Sequence, residues 1–292
     1  MIADRRTVLA ALGAGVLAGC GSIASRASGG HLASAAPSAA RSRPLRTAPQ
    51  VTAPAAPALT RAQIMARYGR LRPHTWGFGG PGVIRDLHTS RRVIALTFDA
   101  CGGPGGSGYD QALIGFLRRH EVPATLFLNS RWIDANPAAF RQLAGEPLFE
   151  IANHGTRHLP LSVTGRSAYG ITGTSDAGQV YDEVAANQAK LTRLLGVPPR
   201  LFRAGTAYSD DIAARIVTAM TDRLVTFSVN GDGGATFTPG QVRDTVAAAP
   251  GGSIVLCHMN HPASGTAEGI TAAVPRLIHA GYRFARLSDE LR

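Results

Sequence analysis

Short apolar runs rich in β-branched and aromatic residues, separated by stretches of helical periodicity, set the limits on what this chain can fold into. They lie at 93–98, 124–128, 148–152, 200–203, 223–229, 253–257 and 282–287 of its 292 residues. Between them, apolar residues recur at helical spacing. The pattern is strongest from Asp176 to Leu195, where Gly196-Val197-Pro198-Pro199 stops it. A helical stretch from about Tyr109 to His120, and another opened by Asn136-Pro137, fill the first two gaps. Strands that alternate with helices pair in parallel, and seven such repeats predict an α/β fold closed as a barrel.

Five of these runs end in residues that carry chemistry. Val93 to Phe98 ends in Asp99, followed by the glycine-rich turn from Cys101 to Gly106. The run at 148–152 leads to His154-Gly155-Thr156-Arg157-His158, and Leu201-Phe202 ends in Arg203. Val225 to Val229 leads to Asp232, and Ser253 to Cys257 ends in His258. The carboxyl ends of strands are where α/β barrels and open sheets build their sites. Two imidazoles four positions apart, just past a strand, can converge on one divalent cation and leave other coordination positions for water and substrate. Taken singly, each placement has a plain structural alternative: an accidental histidine spacing, a cap or a surface ion pair. Their coincidence at five strand ends favours a site.

The ordered series Thr97-Phe98-Asp99, His154-x-x-x-His158, Arg203, Asp232 and Leu256-Cys257-His258 resembles the motifs of the polysaccharide deacetylase family, also called carbohydrate esterase family 4. The resemblance covers roughly residues 90 to 290. It implies a distorted (β/α) barrel of about seven parallel strands, a catalytic domain over 93–292, and metal-assisted hydrolysis of an N- or O-acetyl group on a glycan. It also implies that His154 and His158 hold a divalent metal, for which Zn2+ suits imidazole and carboxylate ligands. Asp99 then matches the base that takes a proton from water, and His258 the acid that protonates the leaving group. Arg203 pairs with Asp99, and Asp232 orients His258 and favours its charged form.

The departures from the family pattern bear on the metal and on the groove. The family's T-F-D-D reads Thr97-Phe98-Asp99-Ala100 here, so the third ligand is missing. Asp99 is the expected replacement, with a Cys101 thiolate or an additional water as the other ways to complete the shell. The R-x-P-aromatic motif is replaced by Arg203-Ala204-Gly205-Thr206-Ala207-Tyr208, which removes the proline and the aromatic wall and leaves backbone N–H groups as an oxyanion site. Thr206, Tyr208 and His261 are the candidate substrate-binding residues. His261, three residues past His258, is expected to cap a helix or line the pocket rather than bind metal.

Ahead of this domain, residues 1–19 form a signal peptide. Arg5-Arg6 precede an Ala/Gly/Leu-rich stretch too short to span a bilayer, and Leu17-Ala18-Gly19-Cys20 resembles a bacterial lipobox. The resemblance implies lipidation of Cys20 and a membrane-anchored lipoprotein exported to the cell envelope. Residues 20–60, poor in large apolar residues and rich in Ala, Ser and Pro, read as a disordered tether. Residues 61–92 read as an extension that packs on the barrel and carries no chemistry of its own.

Other functions fit less well. The net charge is +11, or +10 without residues 1–19, but Lys190 is the sole lysine and the arginines are scattered, which disfavours nucleic acid as a partner. No G-x-S-x-G elbow follows any of the runs, so a serine triad has no support. Two further readings stay open: a catalytically degenerate glycan-binding lipoprotein, and a barrel hydrolase acting on a non-carbohydrate amide. The strands leading to Cys101 and Cys257 are expected to be separated by one other, about 10 Å at roughly 4.8 Å per strand. That span is too long for a disulfide without rearrangement.

Overall fold

The computed structural model describes residues 59–220 and 222–291. The expected signal segment 1–19, the expected lipidation site Cys20 and all but the last two residues of the expected 20–60 tether lie outside the described residues. The strands are β1 (Trp76–Gly77), β2 (Val83–Ile84), β3 (Val93–Ala100), β4 (Ala124–Leu128), β5 (Phe149–Asn153), β6 (Leu201–Phe202), β7 (Ser209–Asp210), β8 (Arg223–Val225), β9 (Val229–Asn230), β10 (Ile254–His258) and β11 (Arg283–Phe284). The helices are α1 (Arg61–Tyr68), α2 (Gln111–Arg119), α3 (Ser130–Ala135), α4 (Pro137–Ala144), α5 (Ala177–Leu195), α6 (Asp211–Ala219), α7 (Pro239–Ala247), α8 (Thr266–His279) and α9 (Leu287–Glu290).

Eight strands form one curled parallel sheet in the order β2-β8-β6-β5-β4-β3-β10-β9, with β11 beside the start of β3. The curled sheet is a half-barrel, consistent with the distorted barrel that the resemblance implies, and has eight strands where about seven are expected. The expected single strand at 223–229 is instead two. Thr226 N–H turns to the Ile84 carbonyl at 2.8 Å and Ser228 N–H to the Ile254 carbonyl at 3.1 Å, so the segment changes partners from the β2 side to β10. The expected strand at 282–287 is shorter, because Leu287 already begins α9. The stretch 61–92 does more than pack on the barrel. Its β2 joins the sheet, pairing Val83 with Leu224 and Ile84 with Val225.

All of β3 is buried, and its alternation explains what it presents to each side. Ile94, Leu96, Phe98 and Ala100 join the cluster formed with the helices, including Leu113, Leu117 and Val274. Val93 and Ala95 join the interior cluster with Phe127, Val225 and Ile254. By the same parity Thr97 and Asp99 face inward, so the acid at the strand end points into the barrel mouth. Strand β10 follows the same rule: Leu256 packs in the interior and Cys257 on the helix side.

The helices begin where the sequence offers caps. Asp110 accepts from Leu113 N–H and Asp176 from Gln179 N–H, both at 2.9 Å, and Gly196 ends α5 in a left-handed conformation at φ 78°.

The strand order corrects one expectation. Strands β3 and β10 are direct neighbours, with Cys257 opposite Phe98 and His258 opposite Asp99. Cys101 and Cys257 are nevertheless both free, because Cys257 faces the helices while Cys101 lies in the mouth.

Candidate active site

Adjacent strand ends bring the candidate residues to one mouth. Asp99 is 4% exposed, and its Oδ1 accepts a 2.6 Å hydrogen bond from Arg203 Nη1. Arg203 is fully buried. Its remaining N–H groups donate to the carbonyls of Val225 and Thr226 at 3.3 and 2.8 Å, and its guanidinium lies 4.0 Å from the centroid of Phe127. Burial pulls the Arg203 pKa down, and the Asp99 carboxylate offsets part of that effect.

On the β10 side, His258 Nδ1 donates to Asp232 at 3.0 Å, while Asp232 Oδ2 accepts from Thr266 Oγ1 at 3.0 Å and from the His258 N–H at 2.6 Å. Burial alone would lower the His258 pKa, but the Asp232 charge and hydrogen bond raise it well above the ordinary imidazole value. Burial would raise Asp232, and the charge of His258 brings it below the usual carboxylate value. Each member of the pair thus favours the charged form of the other.

His154 follows β5, almost fully buried, and its Nδ1 donates to the Arg203 carbonyl at 2.9 Å. That bond fixes the tautomer and leaves the Nε2 lone pair facing the mouth. Nε2 lies 3.5 Å from Asp99 Oδ2 and 3.9 Å from Cys101 Sγ. The His158 ring stands edge-on to His154 with centroids 4.9 Å apart. One donor atom each from Cys101, His154 and His158 lie within 4.8 Å of one another. Asp99, expected as the third ligand, is not in this group; its carboxylate is tied to Arg203. Burial alone would raise the Cys101 thiol, yet the charge of His158 and hydrogen bonds with His154, His158 and His258 bring it well below the usual thiol range.

The loop carrying the histidines is shaped from behind by Glu183, an acid on the apolar face of α5. Its carboxylate accepts from the N–H groups of Thr156 at 3.0 Å, Arg157 at 2.9 Å and Leu159 at 3.2 Å. Gly155, at φ 77°, leaves room for it, since a Cβ there would stand 2.5 Å from Glu183 Oε1. Burial raises the Glu183 pKa, and the N–H groups of Arg157, Leu159 and His158 hold it down in part. Replacing Glu183 by Gln turns an amide NH2 toward those donors and is expected to cost about 1–3 kcal/mol. Denaturant unfolding measures this, and an unchanged midpoint would remove Glu183 from the role.

A cavity of about 610 Å³ opens over these groups, with Asp99, Cys101, His158 and His258 at its floor. Thr206 and His261, two of the candidate substrate-binding residues, line it; Tyr208 lies behind its aromatic wall. The lost aromatic wall is supplied from elsewhere by Phe78, Tyr169 and Phe227. Tyr208 supports this wall, with ring centroids 4.5 Å from Phe78 and 5.6 Å from Tyr169. The backbone around Thr206 is strained: Thr206 and Ala207 have φ of 66° and 60°, and His158 has 65°. Of the backbone donors expected for an oxyanion site, the Ala207 N–H is taken by the Ala204 carbonyl at 2.9 Å. Thr206 Oγ1 is buried without a hydrogen-bond partner among the described residues. Gly205 packs directly on the His158 backbone, where a Cβ would fall inside van der Waals contact.

Phe78, Tyr169 and Glu183 were not identified in the sequence. Phe78 and Tyr169 come from segments without strand-end motifs. Glu183 left a trace, an acid on the same helix face as the apolar Val180, Val184 and Leu191.

A curled parallel sheet that gathers an acid–guanidinium pair, an acid–imidazole pair and a thiol–imidazole cluster at its strand ends defines an α/β barrel with a hydrolase-type centre. Residues 86–224 match the family model of the polysaccharide deacetylases. It is 26% identical over 211 residues to the peptidoglycan-N-acetylglucosamine deacetylase of Bacillus cereus, covering 71% of this chain and 92% of that protein. Its fold resembles a family 4 carbohydrate esterase from Bacillus anthracis, with a TM-score of 0.58, 21% identity, and 75% and 95% of the two chains covered. It also resembles a CE4 family pseudoenzyme from Bacillus anthracis, with a TM-score of 0.61, 21% identity, and 73% and 70% covered.

Proposed function

We propose that this chain is a metal-dependent deacetylase that removes acetyl groups from an N- or O-acetylated glycan of the cell envelope. The observation that carries the reading is the convergence of Asp99, His158 and His258 on one 610 Å³ cavity, each backed by a buried partner: Arg203 on Asp99, His154 against His158 and Asp232 on His258. Asp99, held in place by Arg203, accepts a proton from the attacking water. His258, charged through Asp232, is the proton donor to the departing amine or alkoxide. Thr206 lines the cavity, and its Oγ1, buried without a hydrogen-bond partner among the described residues, would reach a substrate only after rotation of the side chain. Phe78, Tyr169 and Phe227 form an apolar wall suited to a sugar face.

Two imidazoles and a nearby thiol fit a divalent cation, zinc among them. Bound between His154 and His158, it would act as a Lewis acid toward the acyl oxygen and lower the pKa of water. The N-terminal motifs extend the proposal to an exported lipoprotein, anchored through Cys20 to a membrane at the bacterial cell envelope.

The pseudoenzyme likeness and Ala100 favour one alternative, a glycan-binding protein without turnover. Purified full-length protein incubated with acetylated glycan is expected to release acetate, to lose that activity on chelation and to recover it with zinc. Glycan binding with no acetate release, despite stoichiometric metal, would overturn the enzyme reading in favour of the alternative.

A further inference from the structure

We infer that Cys101, as a thiolate, is the third protein ligand of the metal, in place of the carboxylate that the family motif carries at residue 100. This rests on the metal-dependent reading above and deepens it: the site is a Cys-His-His centre, and Asp99 stays outside the coordination shell.

Strand register is the first support. Ala100 is the last residue of β3, opposite Leu128, and by alternation its side chain lies among the helix-facing core residues with no exposure. A carboxylate at 100 in this register would be driven into the apolar layer between sheet and helices, at the cost of a buried unpaired charge. The next residue, Cys101, leaves the strand and lines the cavity.

Donor spacing is the second. Bonds of about 2.3 Å to sulfur and 2.0 Å to nitrogen at a tetrahedral angle put the two donors roughly 3.5 Å apart. Cys101 Sγ and His154 Nε2 are 3.9 Å apart, and all three donors fall within 4.8 Å, so small rotations close the shell. His154 is already oriented for this by the bond from Nδ1 to the Arg203 carbonyl.

Asp99 is the third. Its Oδ1 is held at 2.6 Å by a fully buried guanidinium, and its Oδ2, although 3.5 Å from His154 Nε2, does not join the group in which the Cys101, His154 and His158 donors all lie within 4.8 Å of one another. Thiolate ligation thus leaves the carboxylate free as the base. It also shifts preference toward zinc and cobalt over magnesium and manganese, since sulfur suits borderline-soft cations.

The test is the optical spectrum of the full-length protein titrated with Co2+. The wild type is expected to show an intense near-ultraviolet sulfur-to-cobalt charge-transfer band that saturates at one equivalent. Cys101→Ser and Cys101→Asp should lose the band, Cys101→Asp while still binding cobalt, and Cys257→Ser should keep it. Cobalt bound by the wild type with visible d–d bands but no charge-transfer band would overturn the thiolate ligand and leave the metal-dependent reading standing. A band that survives in Cys101→Ser would overturn it equally. No cobalt or zinc binding at all would bring down both.

Discussion

Asp99→Asn is expected to lower acetate release by about 10²- to 10⁴-fold, the range over which a positioned base contributes. The substitution is nearly isosteric, and the amide oxygen can still accept the Arg203 Nη1 hydrogen bond that the carboxylate accepts at 2.6 Å. What disappears is a group able to take a proton. Because Cys101, His154 and His158 supply a donor cluster without Asp99, metal content should stay at the wild-type level. The loss should therefore fall on kcat, with metal content measured on the same samples. A decrease of less than tenfold would remove Asp99 from the base role, and loss of the metal would instead make it a ligand.

The second large effect concerns stability. Arg203→Met is expected to destabilise the domain by about 3–5 kcal/mol, the usual cost of leaving one member of a buried ion pair alone. The side chain is fully buried, and its loss strands the Asp99 carboxylate and frees the carbonyls of Val225 and Thr226 inside the barrel. With roughly 2–4 °C per kcal/mol for a domain of this size, the melting temperature should fall by about 6–20 °C. Adding Asp99→Asn to Arg203→Met should cost less than the sum of the two single changes, because the second removes the charge that the first leaves unpaired. Additive losses, or a melting temperature within 2 °C of wild type for Arg203→Met, would show that the pair does not hold this end of the barrel together.

Much of the architecture was legible because the strands announce themselves. Val93 to Phe98 and Ala124 to Leu128 are buried on both faces, as parallel strands under helices must be, and their apolar runs are unbroken. The gathering of Asp99, His154, Arg203, Asp232 and His258 followed from strand ends alone, since all strands of the curled sheet point the same way. What alternation along one strand could not show was its phase at the last residue. Whether 100 or 101 enters the mouth depends on where β3 ends its pairing with Leu128. The aromatic wall was invisible for a different reason. Phe78 and Tyr169 reach the cavity through packing between distant segments, and no local period encodes that. The division of 223–229 into two strands likewise depends on which neighbours, Ile84 or Ile254, are there to accept its N–H groups.

The contact between Gly205 and the backbone of His158 ties two histories together. The turn that brings Thr206 to the cavity and the turn that carries the His158 imidazole share a boundary with no slack. Any side chain acquired at 205 would displace both at once. The cavity wall has more freedom at Phe78 and the exposed Tyr169, which line it away from that boundary.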